Sequence, residues 1–159
     1  MTVLMVNNQI YGMTGGQVAP TTPLAAKTKT SFFGNPEDPF DACELAKAAG
    51  ATYVARWTSA HPVALSKAIA EAVSHEGFSF IEIIAQCPTQ AGRLMYGISD
   101  PGDLLDLLKD KTISIKRGQD KSKEEWKGKI TIGTLFHDTE RTEFSKRYFG
   151  MVERSGKDA

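Results

Sequence analysis

The sequence predicts an α/β fold in which helices flank a mostly parallel sheet. Apolar runs with the length of strands alternate with amphipathic helical segments over most of the chain. One of these runs, residues 78–86, is rich in Ile and Phe, as is typical of a strand buried on both faces. Such alternation favours βαβ units, and 159 residues, 41% hydrophobic and 24% charged, provide enough material for one domain.

The first predicted strand covers residues 3–6, a continuous apolar run at the start of the chain. Buried strands usually follow another element, so we expect the chain to begin in the middle of a fold. Residues 7–39 have neither helical nor strand periodicity and predict a long loop. Loops longer than about 12 to 15 residues in compact domains are usually functional or disordered.

A helix, a strand and a second helix follow this loop. Residues 39–49 predict a helix that Gly50 ends, and residues 52–57 predict a strand. We expect Ser59 to cap a second helix that starts near Pro62. The apolar face of that helix should contain Leu65, Ile69, Ala72 and Val73.

The third strand, residues 78–86, places Cys87 at its carboxyl end. Asp100 should then cap a short helix that runs to Lys109, with Pro101 at the first helical position.

The C-terminal part of the chain has weaker patterns. The charged residues 118–129 predict a solvated loop, and residues 130–136 predict a late strand. We expect the last twenty residues to form a peripheral tail. The predicted organisation is therefore a main unit, residues 1–117, followed by a peripheral C-terminal segment, residues 118–159.

Charge and composition exclude several classes of partner. Nineteen basic residues balance nineteen acidic ones without a basic stripe, so we do not expect nucleic acid to bind. No apolar run is long enough to span a membrane and no signal peptide is evident, so we expect a cytoplasmic protein without a membrane partner. The two cysteines, Cys43 and Cys87, make a disulfide scaffold implausible.

The glycine-rich stretch after the first strand is the strongest candidate site, because ligands of open α/β sheets bind at the carboxyl ends of strands. The Asn8 carboxamide offers an oxygen ligand suited to Mg²⁺. Gly12, Gly15 and Gly16 would let the backbone approach a diphosphate, and the Thr14 hydroxyl would add a donor. Taken alone, the same residues also fit an ordinary turn rich in Asn and Gly.

Two longer motif matches favour a cofactor site over an ordinary turn. Asn-Asn-x-x-Tyr-Gly-Met-Thr-Gly-Gly-Gln at residues 7–17, followed by Pro-Thr-Thr-Pro at residues 20–23, resembles the thiamine diphosphate motif of 2-oxoacid:ferredoxin oxidoreductase beta subunits. The 2-oxoglutarate type is the nearest. Ala-Gln-Cys-Pro-Thr at residues 85–89 is a second match. The resemblance covers residues 1–115 well and implies that residues 1–117 are the C-terminal part of a thiamine diphosphate-binding domain.

The resemblance also implies roles for individual residues. The Asn8 side chain and the Ile10 carbonyl would bind Mg²⁺, while Met13 would face the thiazolium ring and the substrate. Cys87 would complete the binding of a [4Fe-4S] cluster, although a lone cysteine at a strand end is otherwise typical of a buried free thiol. The residues implied to lie near the diphosphate are Thr14, Gly15 and Gly16.

Other reactive side chains do not match the family pattern. Cys43 lies on the apolar side of a predicted helix, where core packing is the better interpretation. His61, His75 and His137 lack the spacing of metal ligands and predict surface or hydrogen-bonded structural roles. Three further cations could meet a carboxylate or CoA phosphates, but a solvated surface position is the simpler expectation for each of them. They are Lys27, Lys29 and Arg93.

The family's site also needs residues that this sequence lacks. The chain contains no Gly-Asp-Gly, whose Asp is the charged magnesium ligand, and no Cys-x-x-Cys or third cluster cysteine. We therefore expect a partner to supply the N-terminal half of the site and to cover the strand at residues 3–6. That half could be a separately encoded chain, or this sequence could be a fragment of a longer subunit. Alone, the chain should bind cofactor poorly.

The resemblance implies a component of an enzyme that decarboxylates a 2-oxoacid oxidatively to acyl-CoA and CO₂ and reduces ferredoxin. The implied cofactors are thiamine diphosphate, Mg²⁺ and a shared [4Fe-4S] cluster, and the implied partners are other oxidoreductase subunits, ferredoxin and CoA. Two alternatives remain. One is a non-catalytic assembly module that retains the fold, and the other is a different α/β protein that binds a diphosphate cofactor or a nucleotide.

Overall fold

The computed structural model describes residues 1–118 and 128–156, and its centre is a five-stranded sheet. The strands lie in the order β1-β3-β2-β5-β4. β1, β3 and β2 are parallel, whereas β5 is antiparallel to β2 and parallel to β4. The predicted α/β fold with a mostly parallel sheet is confirmed. The strands are β1 Thr2–Asn7, β2 Tyr53–Thr58, β3 Ser79–Ile84, β4 Thr112–Ser114 and β5 Ile130–His137.

Helices connect the strands and cover the sheet. Asp41 caps the first helix by accepting the amides of Cys43 and Glu44, and Asp100 caps the third helix as predicted. A short π-helical turn, Gly92–Tyr96, follows the Cys87 segment. The α-helices are α1 Ala42–Ala48, α2 Pro62–Ser74, α3 Pro101–Asp110, α4 Ile115–Gly118 and α5 Phe144–Ser155.

The core lies on both faces of the sheet. Neighbouring residues of β2 and β3 point to opposite faces, so that Val54 and Phe80 pack with α1 while Ala55 and Ile81 pack with α2. The α2 side is closed by the small residues Ala68 and Ala72, together with the Tyr53 ring. Burial of both faces explains why the β3 segment is almost continuously apolar.

Two predictions about α2 were wrong. The residue at its N-cap is His61, which makes no side-chain cap bond, whereas the Ser59 hydroxyl donates to the Gln86 side chain. Val73 is 68% exposed, because its neighbour Ala72 faces the sheet and successive helical residues point in directions about 100° apart. Helix α1 also starts later than expected, at Ala42, since Asp41 caps it.

The C-terminal region contributes a strand to the interior of the sheet. β5 lies between β2 and β4, so this strand is not peripheral, because its backbone pairs on both sides. α5 contains no buried residue and matches the expected peripheral tail. The predicted solvated loop falls mainly on residues 119–127, outside the described residues, and the domain division at residue 117 stays a prediction.

β1 is at the edge of the sheet and, within the described parts of the chain, pairs with β3 alone. Its outer apolar side chains Leu4 and Val6 are 45% and 67% exposed. An edge with unpaired backbone groups and apolar side chains favours association with another strand. No helix in the described residues is both long enough and apolar enough to cross a membrane.

Candidate cofactor site

The Asn-Gly loop, which we define as residues 7–23, leaves β1 at the carboxyl edge of the parallel strands. Tyr11 and Gln17 form an isolated bridge, with the Tyr11 amide donating to the Gln17 carbonyl at 3.1 Å. The fully buried Thr22 hydroxyl donates to the Gln9 carbonyl at 2.7 Å and accepts the Ala19 amide at 2.8 Å. These bonds fold the loop back against the end of β1.

Asn7 anchors the start of this loop. Its buried side chain accepts the Gln9 amide at 2.9 Å and the Thr21 hydroxyl at 2.8 Å, and it donates to Glu82 at 2.7 Å. Gln9 has a φ of 62°, in the left-handed region that is unusual for a residue other than Gly. The first Asn of the motif therefore has a structural role, and the second Asn has its side chain largely free.

Asn8 and Ile10, the two predicted magnesium ligands, lie on either side of Gln9. The Asn8 carboxamide oxygen accepts only a long bond, 3.3 Å, from the Ile10 amide. The Ile10 side chain is buried, and among the described residues no donor pairs with the carbonyl oxygen of Ile10. Two neutral oxygens of the kind that can bind Mg²⁺ are thus available. The predicted site has no carboxylate ligand among the described residues. The described residues contain no cluster of three His, Cys, Asp or Glu side chains suited to a metal ion.

The predicted diphosphate contacts make hydrogen bonds within the loop. The Thr14 hydroxyl donates to the Gln17 side chain at 2.7 Å. The Gly15 amide donates to the Gly12 carbonyl at 3.2 Å, and the Gly16 amide donates to the Tyr11 carbonyl at 2.9 Å. These donors stabilise the turn, so their contact with a diphosphate stays a prediction.

Two of the glycines are needed for the turn itself. Gly15 and Gly16 have φ values of 117° and 96°, which strain any residue with a side chain. A methyl group on Gly16 would also lie 2.7 Å from the Gln90 side chain and 2.8 Å from Leu94. The Asn-Gly loop therefore packs closely against the segment that follows Cys87.

Met13 is fully exposed, whereas Ile10 and Thr22 of the same loop are buried. Lys27, Lys29 and Arg93 are also exposed. The position of Met13 leaves its side chain free to meet a ligand from outside the chain, and its predicted role beside the thiazolium ring stays a prediction.

Cys87 lies just beyond β3, with its sulfur 3.6 Å from the Thr89 hydroxyl oxygen. Burial raises the pKa of its thiol, but the Ala91 amide, the Thr89 hydroxyl and amide, and the Gln90 amide together lower the pKa below the ordinary value of 9.0. Hydrogen bonds from these donors stabilise the thiolate, which is the form that binds metals. These hydrogen bonds favour the thiolate form of Cys87, and its role as a cluster ligand stays a prediction.

Cys43 has the opposite environment. It is buried in the α1 side of the core, as predicted, and burial raises the pKa of its thiol from the ordinary value of 9.0 to about 12. The histidines have structural contacts: His61 Nδ1 lies 2.8 Å from the Thr58 hydroxyl, and His75 Nε2 lies 2.7 Å from the Thr52 hydroxyl. The rings of His75 and His137 also meet edge to face, with centroids 5.2 Å apart.

Sequence reasoning missed a buried ion pair below the Asn-Gly loop. Arg56 of β2 and Glu82 of β3 are partners in the sheet register, and their side chains meet at 2.6 Å. The available signal was one charged residue within each of two otherwise apolar strands. Comparing the two strands for complementary charges would have found the pair.

Comparison with known proteins identifies the family of the chain. Residues 1–83 match the family model described as "Thiamine pyrophosphate enzyme, C-terminal TPP binding domain". The chain belongs to this family. Thiamine pyrophosphate is the same compound as thiamine diphosphate, so the cofactor of this family is the one named by the motif that the Asn-Gly loop resembles.

Relatives within the thiamine pyrophosphate family confirm the narrower resemblance. The chain is 46% identical over 155 residues to the 2-oxoglutarate synthase subunit KorB of Methanocaldococcus jannaschii, which covers 97% of this chain and 56% of that protein. It is 42% identical over 89 residues to the beta subunit of 2-oxoacid:ferredoxin oxidoreductase 2 of Aeropyrum pernix, covering 56% of this chain and 29% of that subunit.

A solved structure is also similar. It is a 2-oxoglutarate:ferredoxin oxidoreductase from Magnetococcus marinus with 2-oxoglutarate, coenzyme A and succinyl-CoA bound. The TM-score is 0.77 at 28% identity, over 98% of this chain and 53% of that chain. The chain spans about half the length of the 2-oxoglutarate synthase subunits that it matches over nearly its whole length.

Proposed function

We propose that the chain is a component of a 2-oxoacid:ferredoxin oxidoreductase, with 2-oxoglutarate as the 2-oxoacid. The observation that carries the proposal is the placement of Asn8 and Cys87 beside each other at the carboxyl edge of the sheet, where both lie against Gly12. When bound, thiamine diphosphate supplies the carbanion chemistry of decarboxylation, and the protein supplies binding and orientation. The longer relatives are named as subunits of enzymes of this class.

The residues of this chain would act mainly by holding cofactors. The Asn8 side chain and the Ile10 carbonyl would bind Mg²⁺, because both oxygens lack a strong internal partner. Cys87 would bind the [4Fe-4S] cluster as a thiolate. Met13 would contact the substrate side of the site through its exposed side chain. The diphosphate would lie near Thr14, Gly15 and Gly16.

The site is half of a complete one. Mg²⁺ still requires a carboxylate, and the cluster requires three more thiolates. The sequence contains neither the Gly-Asp-Gly motif that provides this carboxylate in the family nor the other three cluster cysteines. We propose that another polypeptide, or a longer form of this one, provides them and pairs with the exposed edge of β1. Alone, the chain is expected to be inactive. The two free thiols are consistent with a cytoplasmic location, where cysteines stay reduced.

Ferredoxin and CoA complete the proposed reaction as electron acceptor and acyl acceptor. Oxidative decarboxylation releases two electrons, for which ferredoxin would be the acceptor, and CoA would accept the acyl group; the cluster that Cys87 would help to hold would supply one-electron redox chemistry. The solved relative has 2-oxoglutarate, coenzyme A and succinyl-CoA bound, which supports the same substrate class here.

The test is titration of thiamine diphosphate with Mg²⁺ into the chain combined with the protein that supplies the missing half. Asn8→Ala should weaken binding at least about 10-fold, because an oxygen ligand is lost. Val73→Ala, at an exposed position of α2 outside the Asn-Gly loop, is the control and should leave this binding almost unchanged. Equal binding by the wild type and Asn8→Ala would contradict the magnesium role.

The two alternatives give different results in the same preparation. A non-catalytic assembly module would form the complex without any 2-oxoacid-dependent reduction of ferredoxin. A protein for another diphosphate ligand would gain heat stability from a nucleoside diphosphate and not from thiamine diphosphate with Mg²⁺.

A further inference from the structure

We propose that Glu82 is a positioning residue for the Asn-Gly loop, acting through Asn7 on the backbone between Asn8 and Ile10. The proposal rests on the proposed function only for the identity of the ligand that this backbone holds. The positioning itself is a property of the loop and can be measured without any cofactor.

Glu82 is a buried charge in the middle of an apolar strand. The residue is 3% exposed, and its carboxylate accepts from Arg56 Nε at 2.6 Å and from Asn7 Nδ2 at 2.7 Å. Arg56 also donates to Asp41 at 2.7 Å, and the Cys43 sulfur lies 3.6 Å from Glu82. Apolar residues of similar size often replace such pairs without loss of stability, so stability alone does not require this pair.

The carboxylate determines how the Asn7 side chain is oriented. An ionised carboxylate only accepts hydrogen bonds, so Asn7 must turn its NH₂ group towards Glu82. Its carbonyl oxygen then faces the loop, where it accepts the Gln9 amide and the Thr21 hydroxyl. With the amide turned the other way, the NH₂ group would face both of these donors.

The orientation of Asn7 matters because Gln9 has a left-handed backbone. A residue with a side chain rarely adopts φ near 62°, so bonds on both sides of Gln9 must hold it there. Asn7 binds the Gln9 amide and Thr22 binds the Gln9 carbonyl. Asn8 and Ile10 flank Gln9, so this one conformation sets the separation of the two proposed oxygen ligands.

The proposal predicts a defect that a swap of hydrogen-bonding groups repairs. In Glu82→Gln, the new side chain can satisfy either Asn7 or Arg56, but its NH₂ group opposes the other donor. In Asn7→Asp, two carboxylates lie within hydrogen-bond distance of each other. When both changes are combined, the amide at position 82 donates to the carboxylate at position 7 and still accepts from Arg56.

The first measurement is hydrogen exchange of the full chain without cofactor. Glu82→Gln should speed exchange of the amides in residues 9–22, while the amides of α3 keep their wild-type rates. The double variant Asn7→Asp/Glu82→Gln should return the loop amides towards wild-type exchange. Unchanged loop exchange in Glu82→Gln, or failure of the folded double variant to restore it, would overturn the proposal.

The second measurement is the affinity of the completed site for thiamine diphosphate with Mg²⁺. Glu82→Gln should weaken it about 10-fold or more, the usual effect of losing a group that orients a ligand, and the double variant should recover most of it. If the wild type does not bind this cofactor, the proposed function fails while the exchange data still decide the positioning role. Should Glu82→Gln not fold, Asn7→Ala tests the same link with the Arg56 ion pair intact, and unchanged loop exchange there would also overturn the proposal.

Discussion

The side-chain nitrogen of Asn8 and the sulfur of Cys87 both lie close to the position that a Cβ atom would occupy on Gly12. A methyl group added to Gly12 would be 3.3 Å from Asn8 Nδ2 and 3.6 Å from Cys87 Sγ. The proposed magnesium ligand and the proposed cluster ligand therefore both approach Gly12 closely. This contact makes the size of residue 12 a direct probe of both halves of the proposed site.

Gly12→Ala should disturb the site more than the fold. The added methyl group makes one tight contact and one ordinary contact, so a small movement of Asn8 can accommodate it. We expect a free energy of unfolding within about 1 kcal/mol of wild type and a weaker affinity of the completed site for thiamine diphosphate with Mg²⁺. Gly150→Ala in α5, where the methyl group meets nothing within 4 Å, is the control and should leave affinity unchanged. Equal affinity in both variants would contradict the close approach.

Gly16→Ala should destabilise the protein through two separate effects. The positive φ costs about 1 to 2 kcal/mol for a residue with a side chain, and the methyl group would clash with Gln90 and Leu94. Urea unfolding should show both losses. Adding Gln90→Ala and Leu94→Ala to Gly16→Ala should recover only the stability lost through the clash. The reference is a protein that carries Gln90→Ala and Leu94→Ala but keeps Gly16. Full recovery would show that backbone strain is absent.

Cys87 should react with iodoacetamide at lower pH than an ordinary thiol does, because hydrogen bonds lower its pKa. Cys43 in the same folded chain is the internal control and should remain unmodified, since it is buried. Mass spectrometry of the two cysteine peptides across a pH series separates the two thiols. Thr89→Val should move the Cys87 reaction to higher pH, and an unchanged profile would contradict the contribution of the Thr89 hydroxyl.

Cys43 should make stability fall at high pH. Its pKa is raised from 9.0 to about 12 on folding, so the folded chain holds a proton that the unfolded chain releases in that range. The contribution is fully present below pH 9 and is lost as the pH rises towards 12. Urea unfolding of the wild type and Cys43→Ala should show a steeper loss in the wild type over this window. Parallel curves for the two proteins would contradict the raised pKa.

Removal of α5 should cost little stability, which tests the predicted division of the chain. The helix contains no buried residue, and its Lys146 contacts the exposed Glu76 in a surface ion pair that solvent screens. A chain ending at Thr142 should therefore unfold close to the wild-type temperature. A chain ending before Ile130 should not fold, because β2 would lose β5. A large loss of stability in the chain that ends at Thr142 would show that α5 belongs to the main unit.

Local patterns predicted much of this fold. Helix α3 was found through Asp100 and Pro101, whose effects depend on a few neighbouring residues. The Asn-Gly loop was found because glycines and the lack of periodicity are visible in the sequence. Ser59 was misassigned because its hydroxyl contacts Gln86, a residue that only the tertiary structure brings near.

Long-range pairing could not be predicted in the same way. The order of the strands depends on registers such as Tyr53 against His137, and no local signal specifies which edge β5 joins or in which direction. The Arg56–Glu82 pair could not be predicted for the same reason, because each charge has no visible partner until β2 and β3 are aligned. In the site, the bonds made by the Gly15 and Gly16 amides depend on the folded path of the loop.

The place of β5 in the sheet has a consequence for biosynthesis. While the chain emerges from the ribosome, β2 and β3 can pair early, but the other edge of β2 stays open until Ile130–His137 has been made. Contacts between residues so far apart in sequence slow folding, because a long loop must close before they form. The nascent protein therefore has an unpaired β2 edge while residues 59–129 are translated, when binding by a chaperone would protect it from aggregation.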